Sequence, residues 1–183
     1  DATAPQVSGA WSPVPNASGW NSAPVTVPLT ADDVLSGPQT IDFTIIGPVP
    51  QTGSANVGHV PPGTAVTFNF GLATEGSNTV IGNATDKAGN VGALPEPLAI
   101  RIDSTAPSTT ASTSPAPNEK GVHGTPVTVT LTATDALSGV RAITYWIGDG
   151  ASIDVVGATA SFTLSSDGSH VVSYQATDAA DNV

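Results

Sequence analysis

The chain of 183 residues contains no cysteine and no methionine. Without cysteine there are no disulfides, no thiolate nucleophile and no zinc–thiolate site. The two absences together leave no sulfur to oxidise, which suits an exposed, oxidising setting. Basic residues are nearly missing too: 4 Lys and Arg stand against 15 Asp and Glu, for a net charge of −11. Binding to nucleic acid, or to an anionic membrane surface, draws on a basic stripe, so neither partner is expected. No apolar run approaches the ~18 residues of a spanning helix, and membrane insertion is not expected either. A basic-then-apolar leader is also missing, as it is from any mature chain that has lost one. Aromatic residues make up only 5% of the chain, which leaves few rings for a sugar-stacking platform.

What the chain has in quantity is turn formers, 19 Gly and 16 Pro, and a sequence that repeats itself. Asp1-Ala-Thr-Ala-Pro5 returns as Asp103-Ser-Thr-Ala-Pro107, and Ser12-Pro-Val-Pro-Asn16 as Ser114-Pro-Ala-Pro-Asn118. The same offset of 102 carries Val25-Thr-Val-Pro-Leu-Thr-Ala-Asp-Asp33 onto Val127-Thr-Val-Thr-Leu-Thr-Ala-Thr-Asp135, and Leu35-Ser-Gly37 onto Leu137-Ser-Gly139. Further on, Ala84-Thr-Asp-Lys-Ala-Gly-Asn-Val91 matches Ala176-Thr-Asp-Ala-Ala-Asp-Asn-Val183 at an offset of 92, so the first copy holds ten extra residues. They lie between Ile46 and Phe68, in a Pro/Gly-rich stretch that reads as a lengthened loop. Nothing in the second copy matches Leu94-Pro-Glu-Pro-Leu-Ala-Ile-Arg-Ile102, so its last strand is expected to be missing. That suggests a fragment of a longer array, or an edge open to strand exchange in a surface filament.

Val25, Val27, Leu29 and Ala31 alternate with Thr26, Pro28 and Thr30, and Val127, Val129, Leu131 and Ala133 alternate with threonines. This is the period of half-buried strands. The pattern recurs at Ile41, Phe43 and Ile45; at Ile143, Tyr145 and Ile147; at Phe68, Phe70 and Leu72; and at Ala160, Phe162 and Leu164. No window carries helical spacing. The expected class is therefore all-β, with six or seven short strands per copy folded as two antiparallel sheets face to face. Glu75-Gly76 and Asp167-Gly168 read as hairpin-type turns. Pro28 cannot donate to a ladder, which predicts a bulge or an unpaired side there.

These motifs (Asp-x-Thr-Ala-Pro, Val-Thr-Val-x-Leu-Thr-Ala-x-Asp-x-Leu-Ser-Gly and Ala-Thr-Asp-x-Ala-x-Asn-Val) resemble the tandem bacterial immunoglobulin-like repeats of cell-surface proteins and extracellular polysaccharide-degrading enzymes. The resemblance implies two immunoglobulin-like β-sandwich modules in tandem, residues 1–102 and 103–183. It further implies a non-catalytic spacer, stalk or adhesive role in an extracellular or cell-surface protein, with neighbouring modules of that protein as partners. The alternative is a module that binds a polysaccharide or a surface protein for a secreted enzyme, since a fold does not fix a function.

Three kinds of site can be weighed from the residues. For catalysis, His59, His123 and His170 fall on different elements, and Ser166, Asp167 and His170 are neighbours in one turn rather than groups assembled from separate elements. No nucleophile elbow, phosphate loop or His-Glu-x-x-His is present, and Lys87 and Lys120 lie in loops, away from where an internal isopeptide would form. For a metal, the loops at one end of a sandwich would gather Asp103, Asp135, Asp178 and Asp181, with Glu75 of the first copy facing them. Oxygen ligands in that number suit calcium. Turn chemistry accounts for the same residues: Asp33 and Asp135 as Asx turns before Leu-Ser-Gly, Asp86 and Asp178 before Ala-x-Asn. For a sugar or protein ligand the candidates are Trp11, Trp20 and Trp146. The counterparts of Trp11 and Trp20 are Thr113 and Val122, so the fold does not require these rings, and local packing under loops is the competing reading.

Overall fold

A computed structural model describes residues 1–58 and 60–183, so His59 lies outside the described residues. The chain divides into two compact units, Asp1–Ser104 and Thr105–Val183. The strands of the first unit are β1 (Gln6–Gly9), β2 (Val25–Asp32), β3 (Pro38–Ile46), β4 (Gln51–Asn56), β5 (Val66–Leu72), β6 (Gly76–Asp86), β7 (Val91–Ala93) and β8 (Leu98–Ile102). One sheet has the order β1-β2-β5 and the other β4-β3-β6-β7, with β8 also paired to β6. Every neighbouring pair of strands is antiparallel. No helix occurs among the described residues.

The alternation read from the sequence is the alternation of burial. Val25, Val27, Leu29 and Ala31 of β2 are buried while the residues between them are exposed or half-buried. They meet Ile41, Ile45, Val80, Ala84, Ile100 and Ile102 of the opposite sheet in one core. Phe43 and Phe70 stack there with ring centroids 4.0 Å apart. Each fully buried Leu or Ile contributes about 1.5–3 kcal/mol relative to its exposed state.

The second unit has β9 (Ser108–Ser114), β10 (Val127–Thr134), β11 (Val140–Ile147), β12 (Ile153–Val156), β13 (Thr159–Leu164) and β14 (Val172–Asp178). Its sheets run β13-β10-β9 and β12-β11-β14. Val127, Val129, Leu131, Ala133, Ile143, Tyr145, Ala160 and Ala176 form its core, and Tyr145 stacks on Phe162 at 4.3 Å. Register shifts fall between Pro38 and Thr40 and between Val140 and Ala142, equivalent positions of the repeat.

Two local expectations need correction, and at Pro28 one of the two expected outcomes is found. Glu75-Gly76 and Asp167-Gly168 do not close hairpins, because β5 pairs with β2 while β6 pairs with β3, and β13 pairs with β10 while β14 pairs with β11. The glycines do take positive φ, 95° at Gly76 and 122° at Gly168, but the chain crosses there from one sheet to the other. At Pro28 there is an unpaired side and no bulge. The β1–β2 ladder lapses between Gly9↔Leu29 and Ser12↔Thr26 without losing register, and Ala10 N still donates to Pro28 O at 3.3 Å. The stretch read as a lengthened loop also includes β4, which pairs with β3 from Thr40↔Asn56 to Ile45↔Gln51; β4 has its counterpart in β12 of the second unit, and the extra length falls mainly in the connection from β4 to β5.

Candidate functional site

Asp33 ends the run that begins with β2, just before Leu35-Ser-Gly37, and its carboxylate organises that turn. Oδ1 accepts from Leu35 N at 3.2 Å, Ser36 N at 2.7 Å, Ser36 Oγ at 3.2 Å and Gly37 N at 2.7 Å. Oδ2 is buried and has no hydrogen-bond partner. Asp86, at the end of β6, is placed by the next turn: Oδ1 accepts from Asn90 N and Oδ2 from Asn90 Nδ2, both at 2.8 Å. Asn90 Nδ2 also reaches the carbonyl of Asp1 at 3.5 Å, and Asp1 Oδ1 accepts from Thr3 N at 2.8 Å.

These contacts bring three acids from separate segments together. One carboxylate oxygen each from Asp1, Asp33 and Asp86 lies within 4.8 Å of the others, and Asp33 and Asp86 are buried. Burial raises the pKa of Asp33, but the hydrogen bonds from Gly37, Ser36 and Leu35 together outweigh it and hold the carboxyl below its usual range. Asp86 behaves alike, burial being outweighed by bonds from Asn90, Ser36 and Ala88. Both groups are thus anions at neutral pH. Lys87, next to Asp86 in sequence, donates its Nζ to the carbonyl of Val60.

In the second unit the same turns recur. Asp135 Oδ1 accepts from Leu137 N at 3.1 Å and Gly139 N at 2.6 Å. Asp178 accepts from Ala180 N, Asn182 N and Asn182 Nδ2 at 2.8, 2.9 and 2.7 Å. The carboxylates of Asp135 and Asp178 come within 4.8 Å of each other. Asp181 is engaged elsewhere: it sits at φ 73°, where the first copy has Gly89 at φ 88°, and forms an ion pair with Arg141 at 2.5 Å. Glu75 accepts from the backbone N–H and hydroxyl of Ser104, at the end of the first unit where β6 begins and β8 finishes. Asp103, next to Ser104, donates its N–H to Asn21 O at 2.9 Å.

The triad of Asp1, Asp33 and Asp86 is the group that sequence reasoning missed as a cluster. Asp33 and Asp86 were legible as turn formers, and the repeat offsets that match Asp103, Asp135 and Asp178 to Asp1, Asp33 and Asp86 were the signal for it.

The tryptophans are held locally. Trp11 packs against the core of the first unit. The guanidinium of Arg101 covers Trp20, 5.0 Å from the ring centroid. Trp146 is half-buried on β11 opposite Ser173. In the Ser166-Asp167-His170 turn, His170 Nε2 lies 2.9 Å from the carbonyl oxygen of Ser166 and 3.4 Å from its Oγ. A ring nitrogen bonded to a carbonyl carries the proton, so this one is no base for the hydroxyl. No helix of the described residues is long and apolar enough to cross a membrane.

Residues 107–182 match the family model of the bacterial Ig domain. The match lies within the second unit, whose motifs the first unit repeats. No curated protein matches the chain. Among solved structures, the fibronectin(III)-like modules of Clostridium thermocellum CbhA align at 16% identity over 97% of this chain and 88% of theirs, with a TM-score of 0.41. Red sea bream transglutaminase aligns at 12% identity over 96% of this chain and 29% of its own, at 0.39. A 1.5-MDa bacterial ice-binding adhesin, described for host cell surface retention, aligns at 16% identity over 100% of this chain and 62% of its own, at 0.40. Likeness at this level carries no functional argument.

Proposed function

We propose that the chain is a non-catalytic structural segment, a spacer or adhesive stalk of a bacterial extracellular or cell-surface protein. The observation that supports this best is duplication: one sandwich architecture occurs twice, and the residues 107–182 match a bacterial Ig domain. Repeating a module extends a chain and does not by itself create chemistry. The polar groups that could have served a reaction are spent on turns, as with Asp33, Asp86, Asp178 and His170. The test is retention on insoluble polysaccharides and on a glycan array. A spacer is not retained; retention that Trp20→Ala abolishes would replace this reading with that of a binding module.

A further inference from the structure

We infer that Asp1, Asp33 and Asp86 form a binding site for a hard divalent cation, calcium by preference, at the end of the first unit where β2 and β6 finish. The inference does not rest on the spacer reading, since a spacer, an adhesin and a binding module could each carry it.

Two observations made independently converge. The first is the cluster: three carboxylates from separate segments, two of them buried, with an oxygen of each within 4.8 Å of the others. No Lys or Arg side chain pairs with any of the three among the described residues. Buried like charges repel and are costly unless paired or bound to a metal. The second is the lopsided use of Asp33. Its Oδ1 accepts from four donors, while its Oδ2, buried in a residue only 3% exposed, accepts from none. A turn former needs one oxygen. The second, desolvated and without a donor, is what a metal ligand looks like before its metal, because a buried acceptor left unmatched is costly.

Tolerance of irregular geometry decides between cations. Calcium binds oxygens at about 2.3–2.6 Å in flexible arrangements, whereas magnesium at about 2.0–2.1 Å demands near-octahedral order. Ligands drawn from three separate segments, each held by its own turn contacts, suit the larger and more tolerant ion. Calcium takes six to eight oxygens, so bidentate carboxylates, backbone carbonyls and water would complete the shell around these three acids. Asn90, which touches both Asp86 and the Asp1 carbonyl, is a positioning residue that holds two of the ligands in reach of each other.

The experiment is calcium titration calorimetry on the full chain after chelator treatment, with amide exchange of residues 33–37 as the local readout. Asp33→Asn keeps an Oδ1 for the turn donors while replacing the unpartnered carboxylate oxygen, and Asp1→Asn changes an exposed ligand that the fold hardly uses. The expected result is calcium binding that slows exchange in the 33–37 turn. In both variants that slowing is lost or needs at least tenfold more calcium, while the melting temperature in chelator stays near that of the parent. If Asp33→Asn does not fold, Asp1→Asn decides alone. Melts and exchange that are the same in chelator and in 10 mM calcium would overturn the site, as would variants that bind like the parent. Magnesium binding as tight as calcium would overturn the assignment of the ion.

Discussion

Pro28 is a natural experiment within the chain, because the repeat places Thr130 at the same point of the equivalent strand. There the ladder continues, with Thr130 opposite Ser112, whereas at Pro28 the pairing with β1 lapses. Pro28→Thr restores the N–H that faces Ala10 and should stabilise the chain by about 0.5–1.5 kcal/mol, less a few tenths for the freer unfolded backbone. A urea titration checks it, and a loss of stability would mean that the strand is held some other way. Leu131, fully buried in the second core, gives the opposite test. Leu131→Ala should cost about 2–5 kcal/mol, while Val156→Ala, at a site 89% exposed, should stay within about 0.5 kcal/mol. At this scale the sequence was most legible, since alternation names the buried face directly. It could not disclose that one oxygen of Asp33 is left without a donor, because that depends on which way a buried carboxylate turns.

The turns show where local reading stops. Asp33-Val-Leu-Ser-Gly37 and Asp135-Ala-Leu-Ser-Gly139 were recognisable as Asx turns, and both glycines take φ of 81°. Their surroundings differ in a way no local pattern encodes. A Cβ on Gly37 would lie 2.8 Å from the carbonyl oxygen of Val60, while one on Gly139 would meet nothing within 4 Å. Gly139→Ala should therefore cost about 1–2 kcal/mol for left-handed backbone alone, and Gly37→Ala clearly more. Equal costs in denaturant titrations would contradict the close approach of Val60 to Gly37. The sheet-crossing turns at Gly76 and Gly168 make the same point. A glycine with positive φ is legible in sequence, but whether the chain returns to its own sheet or crosses to the other depends on partners far along the chain. The lengthened loop of the first copy was legible, but the strand β4 that leads into it was not, because Gln51-Thr-Gly-Ser-Ala-Asn56 has no apolar alternation and gets its partner from β3.

For the molecule as a whole, two cores of one architecture explain how a chain with no disulfide folds with so little aromatic area. Its acid sensitivity follows from the turns. Asp33 and Asp86 titrate below the ordinary value of 3.8 in the folded state, so near that pH the folded chain binds fewer protons than the unfolded chain. Their stabilising contribution is complete above 3.8 and is lost as pH falls through the lowered native values. With calcium removed by chelator, the urea midpoint should hold between about pH 7 and pH 5 and fall below about pH 4. A midpoint unchanged at pH 3 would remove these carboxylates from the account. Composition made the class legible at once, and the repeat made the two-module plan legible. The purpose of the modules was not, because a spacer and an adhesin differ in a few loop side chains rather than in pattern.

The most direct test of a structural role is to pull the chain from its two ends in a single-molecule force experiment. Units of residues 1–104 and 105–183, extended at about 3.3–3.6 Å per residue, should release roughly 340–370 Å and 260–280 Å of contour, less the few tens of Å each spans when folded. Two separate unfolding events with those lengths are the predicted result. A single event of the combined length, or featureless extension at low force, would contradict the claim that this is a chain of self-sufficient modules built to hold something at a distance.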